Sequence, residues 1–495
     1  MQQIPREEAI ARLRLENPWW VLPHAVPAAY SNWRPRPYLE MFFPLLINRT
    51  VRRAVVLMGP RRVGKTFLLH HSIDRLISLH KIPPTSICYI SVDNPIYLRL
   101  SLDQIISLYA EATGVDIAAT PTYMFFDEIQ YLRLWEVHLK SIVDTLPYVK
   151  CVASGSAAAA LKLKSDESGA GRFTDFLLPP VTFYEYLALL GNEKLVAITE
   201  EEGTRNFTSP DIEQLNSQFV HYLNFGGYPE VIFSEEIQGD PGRFIKSDII
   251  DKVLLRDLPS LYGIQDIQEL NSLFMTLAYN TAQELTLEDL SKKSGVAKQT
   301  IKRYIDYLVA AFLVRIVHRV DDNARHFQRA RSFKVYLTNS SMRTALFSHL
   351  GSSDEKMGAL VETGIFAQWF HHQHYEHLRY ARWKDGEVDI VNLGPDQRPS
   401  WAVEVKWSDR HFSRVGELSE QMNFCRKNKL DKLAVTTITK QGLKKIMGVE
   451  LDFRPAALYA FTLGYNIILA KRQAPLRRSI ADKQKRGRPL SEPAP

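Results

Sequence analysis

The 495-residue sequence predicts a multidomain α/β protein. Its length exceeds what a single hydrophobic core usually serves, and its composition, 45% hydrophobic and 24% charged, is that of an ordinary globular protein. From Arg53 to Ala153, short apolar runs alternate with segments of helical periodicity, which indicates parallel strands covered by helices on both faces. Helices and loops follow Pro180, and short strands return after Glu362. We therefore expect several structural units along the chain.

These changes of pattern divide the chain into five predicted segments. In chain order they are an aromatic lead-in (1–50), an α/β unit with a helical extension (51–265), a winged helix-turn-helix unit (266–330), a second α/β unit (331–470) and a basic tail (471–495). The tail lacks apolar periodicity, so we expect it to be disordered. Its eight basic and two acidic residues account for +6 of the net charge of +7, which leaves the body nearly neutral.

Composition argues against a membrane or secreted protein. No apolar run approaches the roughly 18 residues that a bilayer-spanning helix needs, and no apolar segment of a signal peptide follows the N-terminus. Cys88, Cys151 and Cys425 show neither metal-binding nor disulfide spacing, so buried thiols are expected. We predict a cytoplasmic protein with no membrane partner.

A phosphate-binding loop follows the apolar run Ala54–Met58 and opens a helix. It satisfies the pattern G-x-x-x-x-G-K-[ST] in full, and its residues are Gly59, Pro60, Arg61, Arg62, Val63, Gly64, Lys65 and Thr66. The glycines let backbone N–H groups surround the phosphates, while Lys65 neutralises the β- and γ-oxygens and the Thr66 hydroxyl ligates magnesium. The predicted ligands are ATP and Mg²⁺.

An acidic pair ends the next-but-one predicted strand, Tyr123–Phe126. Asp127 is expected to hold Mg²⁺ through water, and Glu128 to polarise the attacking water. Glu128 therefore predicts hydrolysis of ATP in addition to binding, with Lys65 as the second catalytic residue of this site.

Further residues are candidates for contact with the γ-phosphate. Ser154–Ser156 ends a third strand and is either a phosphate sensor or a plain serine-rich turn. As arginine finger we expect Arg172 first and Arg256 second.

A helix-turn-helix pattern occupies the centre of the chain. Thr286–Val296 reads as a helix and turn, and Ala297–Leu308 as the helix that follows. Four polar residues of the second helix should face outward, as a major-groove helix requires: Lys298, Gln299, Lys302 and Arg303. DNA contact is one interpretation, and packing between an ATPase and its effector is the other.

Two carboxylates and a lysine converge in the C-terminal strands. Alternation along a strand puts Glu404 and Lys406 on one face, with Asp389 on an adjacent strand and Glu362 on the preceding helix. Glu362, Asp389 and Glu404 are the predicted metal ligands, and Asp389, Glu404 and Lys406 the catalytic residues for phosphodiester cleavage. The set resembles the PD-(D/E)xK nuclease core; a degenerate nuclease fold that only binds is the alternative.

The motifs together resemble a bacterial and archaeal group of AAA-type ATPases joined to a C-terminal domain of unknown function, numbered 4143. The matching motifs are Ala54–Thr66, Phe126–Gln130, Ala153–Ser156, Gly171–Phe173, Gly226–Glu230, Arg256–Leu258, Glu362–Gly364, Gly386–Asp389 and Val403–Lys406. The resemblance implies a P-loop AAA-type ATPase followed by a nuclease-like α/β domain. It implies no biological role, since the group has no settled one.

DNA is the expected partner, through the winged helix and the basic tail, where Lys485–Pro489 resembles the core of an AT-hook. Three hypotheses remain open. The first is an ATP-driven machine that engages DNA and cuts it, and the second is a non-cutting ATP switch that binds DNA or a protein. The third is an ATPase that remodels protein partners. A homo-oligomer is compatible with each.

Overall fold

The computed structural model describes residues 6–22, 26–155, 171–201, 204–322, 332–371 and 375–469. The basic tail with its AT-hook-like string therefore lies outside the described residues, as does Ser156. The strands are β1 Ala54–Met58, β2 Ile87–Ser91, β3 Thr122–Asp127, β4 Val149–Gly155, β5 Phe173–Leu177, β6 Ala197–Glu201, β7 Thr204–Thr208, β8 Glu284–Thr286, β9 Val314–Val320, β10 Ser332–Leu337, β11 Leu378–Arg382, β12 Glu387–Leu393, β13 Pro399–Glu404, β14 Lys432–Thr437, β15 Gly442–Ile446 and β16 Val449–Pro455.

Helices connect and cover these strands. The α-helices are α1 Arg6–Glu16, α2 Ala28–Ser31, α3 Leu39–Ile47, α4 Lys65–Ser78, α5 Leu102–Thr113, α6 Trp135–Thr145, α7 Phe183–Leu190, α8 Ile212–Phe225, α9 Pro229–Ile232, α10 Glu235–Gly239, α11 Leu258–Tyr262, α12 Ile267–Tyr279, α13 Leu287–Ser294, α14 Lys298–Ala310, α15 Ser341–Leu346, α16 Met357–Trp369, α17 Arg410–Ser413 and α18 Ser419–Lys427. Two π-helical stretches, Gly242–Asp251 and Val253–Asp257, precede α11, and residues 456–469 are helical.

The first sheet has five parallel strands in the order β2-β3-β4-β1-β5. Strands β1, β3 and β4 are buried along their whole length, as expected for a parallel sheet covered on both faces. The register pairs Met58 with Gly155 and Ser91 with Asp127, so the carboxyl ends of these strands meet at one edge. This sheet confirms the predicted α/β unit and places the phosphate-binding loop at that edge.

The N-terminal lead-in packs on this sheet and on the C-terminal half. Trp19 and Trp20 both donate their indole N–H to the carbonyl oxygen of Ile87, at 3.1 and 2.7 Å. The fully buried phenol of Tyr38 lies 2.6 Å from Nδ1 of His371. The lead-in therefore links the first sheet to the region that follows it.

The second sheet has nine strands in the order β15-β16-β14-β13-β12-β11-β9-β10-β8. Strand β9 pairs with β10 antiparallel and with β11 parallel, so one sheet crosses the predicted boundary at residues 330 and 331. A separate hairpin, β6 with β7, occupies the polar stretch after α7.

Two general expectations can be compared with the structure directly. Cys88, Cys151 and Cys425 are free and buried, as predicted. No helix in the described parts of the chain is long and apolar enough to cross a lipid bilayer.

Candidate active site

The phosphate-binding loop lies between β1 and α4, as its pattern predicts. A side chain at Gly59 would bring its Cβ within 2.3 Å of the Leu178 carbonyl oxygen, and Gly64 has a φ of 93° that favours glycine. The buried Lys65 ammonium donates to the carbonyl oxygens of Gly59, at 3.1 Å, and Pro60, at 2.9 Å. Burial lowers the pKa of Lys65. The two carbonyl contacts hold the Lys65 amino group at the centre of the backbone turn.

Asp127 is the centre of a hydroxyl cluster at the edge of the sheet. Its Oδ2 accepts from the hydroxyls of Thr66, at 2.7 Å, and Tyr89, at 2.9 Å, and its Oδ1 accepts from the Ser154 hydroxyl. Burial, and then the charge of Glu128, raise the pKa of Asp127. A hydroxyl beside a carboxylate fits Mg²⁺, so Thr66 and Asp127 would hold that ion. Tyr89 was not predicted.

Glu128 follows Asp127 in a left-handed backbone conformation, with a φ of 57°. Its Oε2 accepts from the amide of Gln130 at 2.5 Å, and its side chain lines the same cavity as Lys65 and Thr66. The turn directs the carboxylate toward the space in front of the loop, where a base for the attacking water is needed.

The two arginines of the loop are paired with acids of the helical extension. Arg61 donates to both carboxylate oxygens of Asp257, at 2.8 and 2.9 Å, and these contacts raise the pKa of the guanidinium. Arg62 donates to Glu230 at 2.8 Å and to Asp248 at 3.3 Å. The loop is therefore tied to residues that lie some 170 to 200 positions later in the chain.

A cavity of about 580 Å³ opens in front of the loop, a size that suits a nucleotide. Lys65, Thr66 and Glu128 line one side of it, while Tyr30 and Trp33 of the lead-in line another. The Trp33 ring lies 4.4 Å from that of Phe233, and Tyr30 stacks on His70 at 3.9 Å. The sequence signal for this aromatic wall was the composition of the lead-in, which did not indicate individual residues.

A buried ion pair contacts the phosphate-binding loop. The Arg36 guanidinium donates from Nε and Nη2 to the two carboxylate oxygens of Glu185, each at 3.0 Å, and Glu185 is fully buried. Nη1 of Arg36 donates to the carbonyl oxygens of Val63, at 2.8 Å, and Pro179, at 2.9 Å. Glu185 also accepts from the backbone N–H of Thr182, which caps α7. Neither charged residue was predicted as part of the site.

The two arginine-finger candidates, Arg172 and Arg256, differ in their position relative to the phosphate-binding loop. The Arg172 carbonyl accepts from Ala54 N–H at the amino end of β1, so it lies about 17 Å along the strand from the loop. Its side chain pairs with Asp144. It therefore cannot serve the ATP site of its own chain, and a role toward a second copy stays a prediction. Arg256 lies 5.9 Å from the centre of the Tyr131 ring, whose hydroxyl accepts from Arg61 of the phosphate-binding loop at 3.4 Å.

The predicted C-terminal residues come together on the second sheet. The Lys406 ammonium lies 2.5 Å from Glu404 and 3.9 Å from Asp389. Asp389 and Glu404 are buried, and Asp389 accepts from the backbone N–H of Val405 at 2.9 Å. Burial, and then the charge of Asp389, raise the pKa of Glu362 to about 7 and that of Glu404 to about 8.

A lysine that sequence reasoning missed lies among these carboxylates. The ammonium of Lys334, on β10, is 2.5 Å from Glu387, 2.9 Å from Glu362 and 3.4 Å from Asp389. No three or more His, Cys, Asp or Glu side chains in the described residues are grouped as ligands of one metal ion. The expected ligands Glu362, Asp389 and Glu404 therefore meet around ammonium groups, because a buried carboxylate cluster requires neutralisation.

Comparison with known protein families agrees with the description of the phosphate-binding loop and its parallel sheet. Residues 51–187 match an AAA domain family, and residues 216–355 match a domain of unknown function, numbered 8612. An uncharacterized protein of Methanocaldococcus jannaschii, MJ1637, is 25% identical over 368 residues, which is 70% of this chain and 74% of that protein. The match over 216–355 names a different domain from the one numbered 4143 that the motifs resemble.

Two solved structures align with parts of this chain. The Walker-type ATPase PABY2304 of Pyrococcus abyssi aligns at 15% identity and a TM-score of 0.35, over 62% of this chain and 94% of that one. The ORC2 protein of Aeropyrum pernix aligns at 13% identity and a TM-score of 0.37, over 62% and 91%. The domain match and the geometry of the loop agree that this chain contains an AAA-type ATPase domain.

Proposed function

We propose that this chain is an ATPase whose nucleotide state controls how its C-terminal half engages DNA. The ATPase part rests on the convergence of Lys65, Thr66, Asp127 and Glu128 at one edge of the parallel sheet. The DNA part rests on a basic helix, α14, and on a series of contacts through α11 that joins this helix to the phosphate-binding loop. That series is the observation that carries the proposal.

The unit from α12 to β10 has the element order of a winged helix. It runs α12, β8, α13, α14, β9 and β10, with β10 paired antiparallel to both β8 and β9. Helix α14 buries Ile301, Tyr304, Ile305 and Leu308. Its four predicted DNA-facing residues are exposed: Lys298, Gln299, Lys302 and Arg303. This arrangement supports α14 as the helix that enters a DNA groove.

A short series of contacts joins the phosphate-binding loop to that helix. Arg61 pairs with Asp257, which directly precedes α11. At the end of α11 the Tyr262 ring stacks on Tyr307 of α14, with the centroids 3.9 Å apart and an angle of 11°. A change at Arg61 is therefore conveyed to α14 through one short helix.

The chemistry of ATP binding supplies such a change. The phosphates compete with Asp257 for the Arg61 guanidinium and with backbone carbonyls for the Lys65 ammonium. Bound Mg²⁺ neutralises phosphate charge, and Thr66 and Asp127 would hold it. Glu128 takes a proton from the attacking water. Hydrolysis then returns Arg61 to Asp257, so the position of α11 follows the state of the nucleotide.

Charge reversal on α14 should weaken DNA binding and its dependence on salt. We expect Lys302→Glu/Arg303→Glu to lower the slope of log affinity against log salt by about 2, since each phosphate contact contributes about 1. Fluorescence anisotropy with duplex DNA measures this. Arg14→Glu/Lys140→Glu, the same change at exposed residues of α1 and α6, is the matched control. An unchanged slope in the α14 variant would contradict DNA contact by this helix.

The same assay tests the coupling. DNA affinity should differ by about fivefold or more between the ADP and ATP states, and the difference should disappear in Arg61→Met. Equal DNA affinity in all nucleotide states would overturn the proposal and favour an ATPase that acts on protein partners.

A second candidate function concerns the C-terminal carboxylates. The order α16, β11, β12, β13, α18 and β14, with Asp389 and Glu404 on neighbouring strands, supports a nuclease-like core. Lys334 supplies a fixed positive charge between Glu362, Glu387 and Asp389. Because an ammonium already neutralises these carboxylates, we favour a domain that binds DNA or a protein partner and does not cleave DNA.

We therefore expect no cleavage of plasmid or linear DNA with Mg²⁺ or Mn²⁺, with or without ATP. The assay compares the natural chain with Glu404→Ala/Lys406→Ala, and ATP hydrolysis is measured in parallel as the control for folding. If the natural chain cleaves DNA and the double variant does not, while the variant still hydrolyses ATP, the domain is a nuclease. The reactions with and without ATP then show whether cleavage requires ATP.

A further inference from the structure

A polar cavity of about 200 Å³ lies apart from both sites described above. It is bounded by the end of α12, the turn into β8, helix α15 and the start of α16. Six polar residues line it: Tyr279, Asn280, Thr281, Gln283, Arg343 and Lys356. No carboxylate is among the residues that line it, so its electrostatic character is positive.

Arg343 is a buried cation without an acidic partner. Its exposed fraction is 5%, and its Nη1 donates to a neutral group, the carbonyl oxygen of Ser348, at 3.1 Å. The charge of Asp354 acts on it, but Asp354 is exposed and forms no ion pair with it within the described residues. Burial lowers the pKa of Arg343. A guanidinium held out of water without an anion costs free energy, which a bound anion would offset.

Lys356 adds a second positive charge on the exposed side of the cavity. Its ammonium donates to the phenol oxygen of Tyr279 at 2.6 Å and lies 4.1 Å from the centre of that ring. This contact lowers the pKa of Tyr279. Thr281, in the turn into β8, lines the cavity and shares a hydrogen bond with Thr363 at 2.8 Å. Two cations and several neutral polar groups therefore surround one small space.

We infer that this cavity binds a phosphate-sized oxyanion between Arg343 and Lys356. A guanidinium binds two oxygens of a phosphate at once, and a neighbouring ammonium adds a point charge. The volume accommodates a phosphate group with water but is below the roughly 300–1,000 Å³ of sites for whole small molecules. The phosphate is either free in solution or the terminal phosphate of a nucleic acid strand, and both present the same chemistry.

Thermal unfolding of the full chain with added inorganic phosphate tests this site. Every protein carries Lys65→Ala, because the ATP site also binds phosphate, and sodium chloride keeps the ionic strength constant. We expect phosphate to raise the Tm of the Lys65→Ala protein and not that of Lys65→Ala/Arg343→Met. Lys65→Ala/Lys445→Met, which loses an exposed lysine elsewhere, should keep the full shift.

A purely structural Arg343 would give a different pattern. Arg343→Met removes a buried charge that lacks an anion, so without phosphate we expect its Tm to equal or exceed that of the parent. A lower Tm in Arg343→Met together with no phosphate shift in the parent would overturn the inference. So would a phosphate shift that Arg343→Met retains.

A second measurement identifies the source of the phosphate. The same single strand is compared with a 5′-phosphate and with a 5′-hydroxyl. Tighter binding of the phosphorylated strand, lost in Arg343→Met, supports a strand end as the ligand. Equal binding of the two strands, beside the shift with inorganic phosphate, supports a free phosphate. Neither result depends on ATP hydrolysis or on α14, so the inference stands or fails separately from the proposed function.

Discussion

Replacing Glu128 with glutamine should reduce ATP hydrolysis by about 10²–10³-fold and leave ATP binding intact. Glu128 directly follows β3 and lines the nucleotide cavity with Lys65 and Thr66. Glutamine keeps the size of the side chain and an oxygen that accepts from Gln130, but it cannot take a proton from water. Release of phosphate in the steady state measures hydrolysis, and a fluorescent ATP analogue measures binding.

Two further variants distinguish the role of Glu128 from a general loss of charge. Glu213→Gln makes the same change at an exposed position of α8 and should hydrolyse ATP normally. Lys65→Ala should lose both binding and hydrolysis, because it removes the cation that the phosphates contact. Hydrolysis within a few-fold of the natural chain in Glu128→Gln would assign the general base to another group.

The ATP site was predictable because its signals are local. The loop is one continuous pattern, and Asp127 ends a short apolar run that follows the loop with one strand between, which favours a buried strand of the same sheet. Thr66 and Asp127 are 61 residues apart, yet they meet at 2.7 Å because the carboxyl ends of parallel strands share one edge. The same reasoning brought Asp389, Glu404 and Lys406 together on the second sheet.

The residues that sequence reasoning missed depend on pairings between distant segments. Lys334 lies 55 residues before Asp389, on a strand that no spacing relates to the carboxylates. Tyr89 reaches Asp127 only because β2 and β3 pair in the observed register. Arg36 belongs to a lead-in whose composition indicated packing but not a partner. In each case the contact depends on how distant segments pair in the folded chain. No local sequence pattern shows that pairing.

The position of Arg172 also depends on information that the sequence does not carry locally. Arg172 follows a glycine and precedes a strand, which is compatible with either end of the sheet. The direction of β5 places it at the amino edge, away from the loop of its own chain. Sequence order alone could not distinguish the two edges, because it does not show whether β5 runs parallel or antiparallel to β1.

Removing the charge of Glu185 should destabilise the chain more than any surface change. The Arg36–Glu185 pair is almost completely buried, and truncating one partner of such a pair typically costs about 3–5 kcal/mol, because it leaves an uncompensated charge in the interior. We expect Glu185→Leu to lower the free energy of unfolding by that amount. Urea denaturation followed by tryptophan fluorescence measures it, with Arg34→Met, at a 65% exposed side chain, as the control.

The double variant Arg36→Met/Glu185→Leu separates charge burial from packing. It leaves no unpaired charge, so we expect it to recover most of the stability that Glu185→Leu loses. It should still bind ATP more weakly than the natural chain, because Arg36 no longer donates to the Val63 carbonyl within the phosphate-binding loop. Recovery of both stability and ATP affinity would mean that the loop holds its shape without Arg36. Recovery of stability alone would establish that the lead-in orders the loop, and that residues outside the AAA domain match are part of the ATP site.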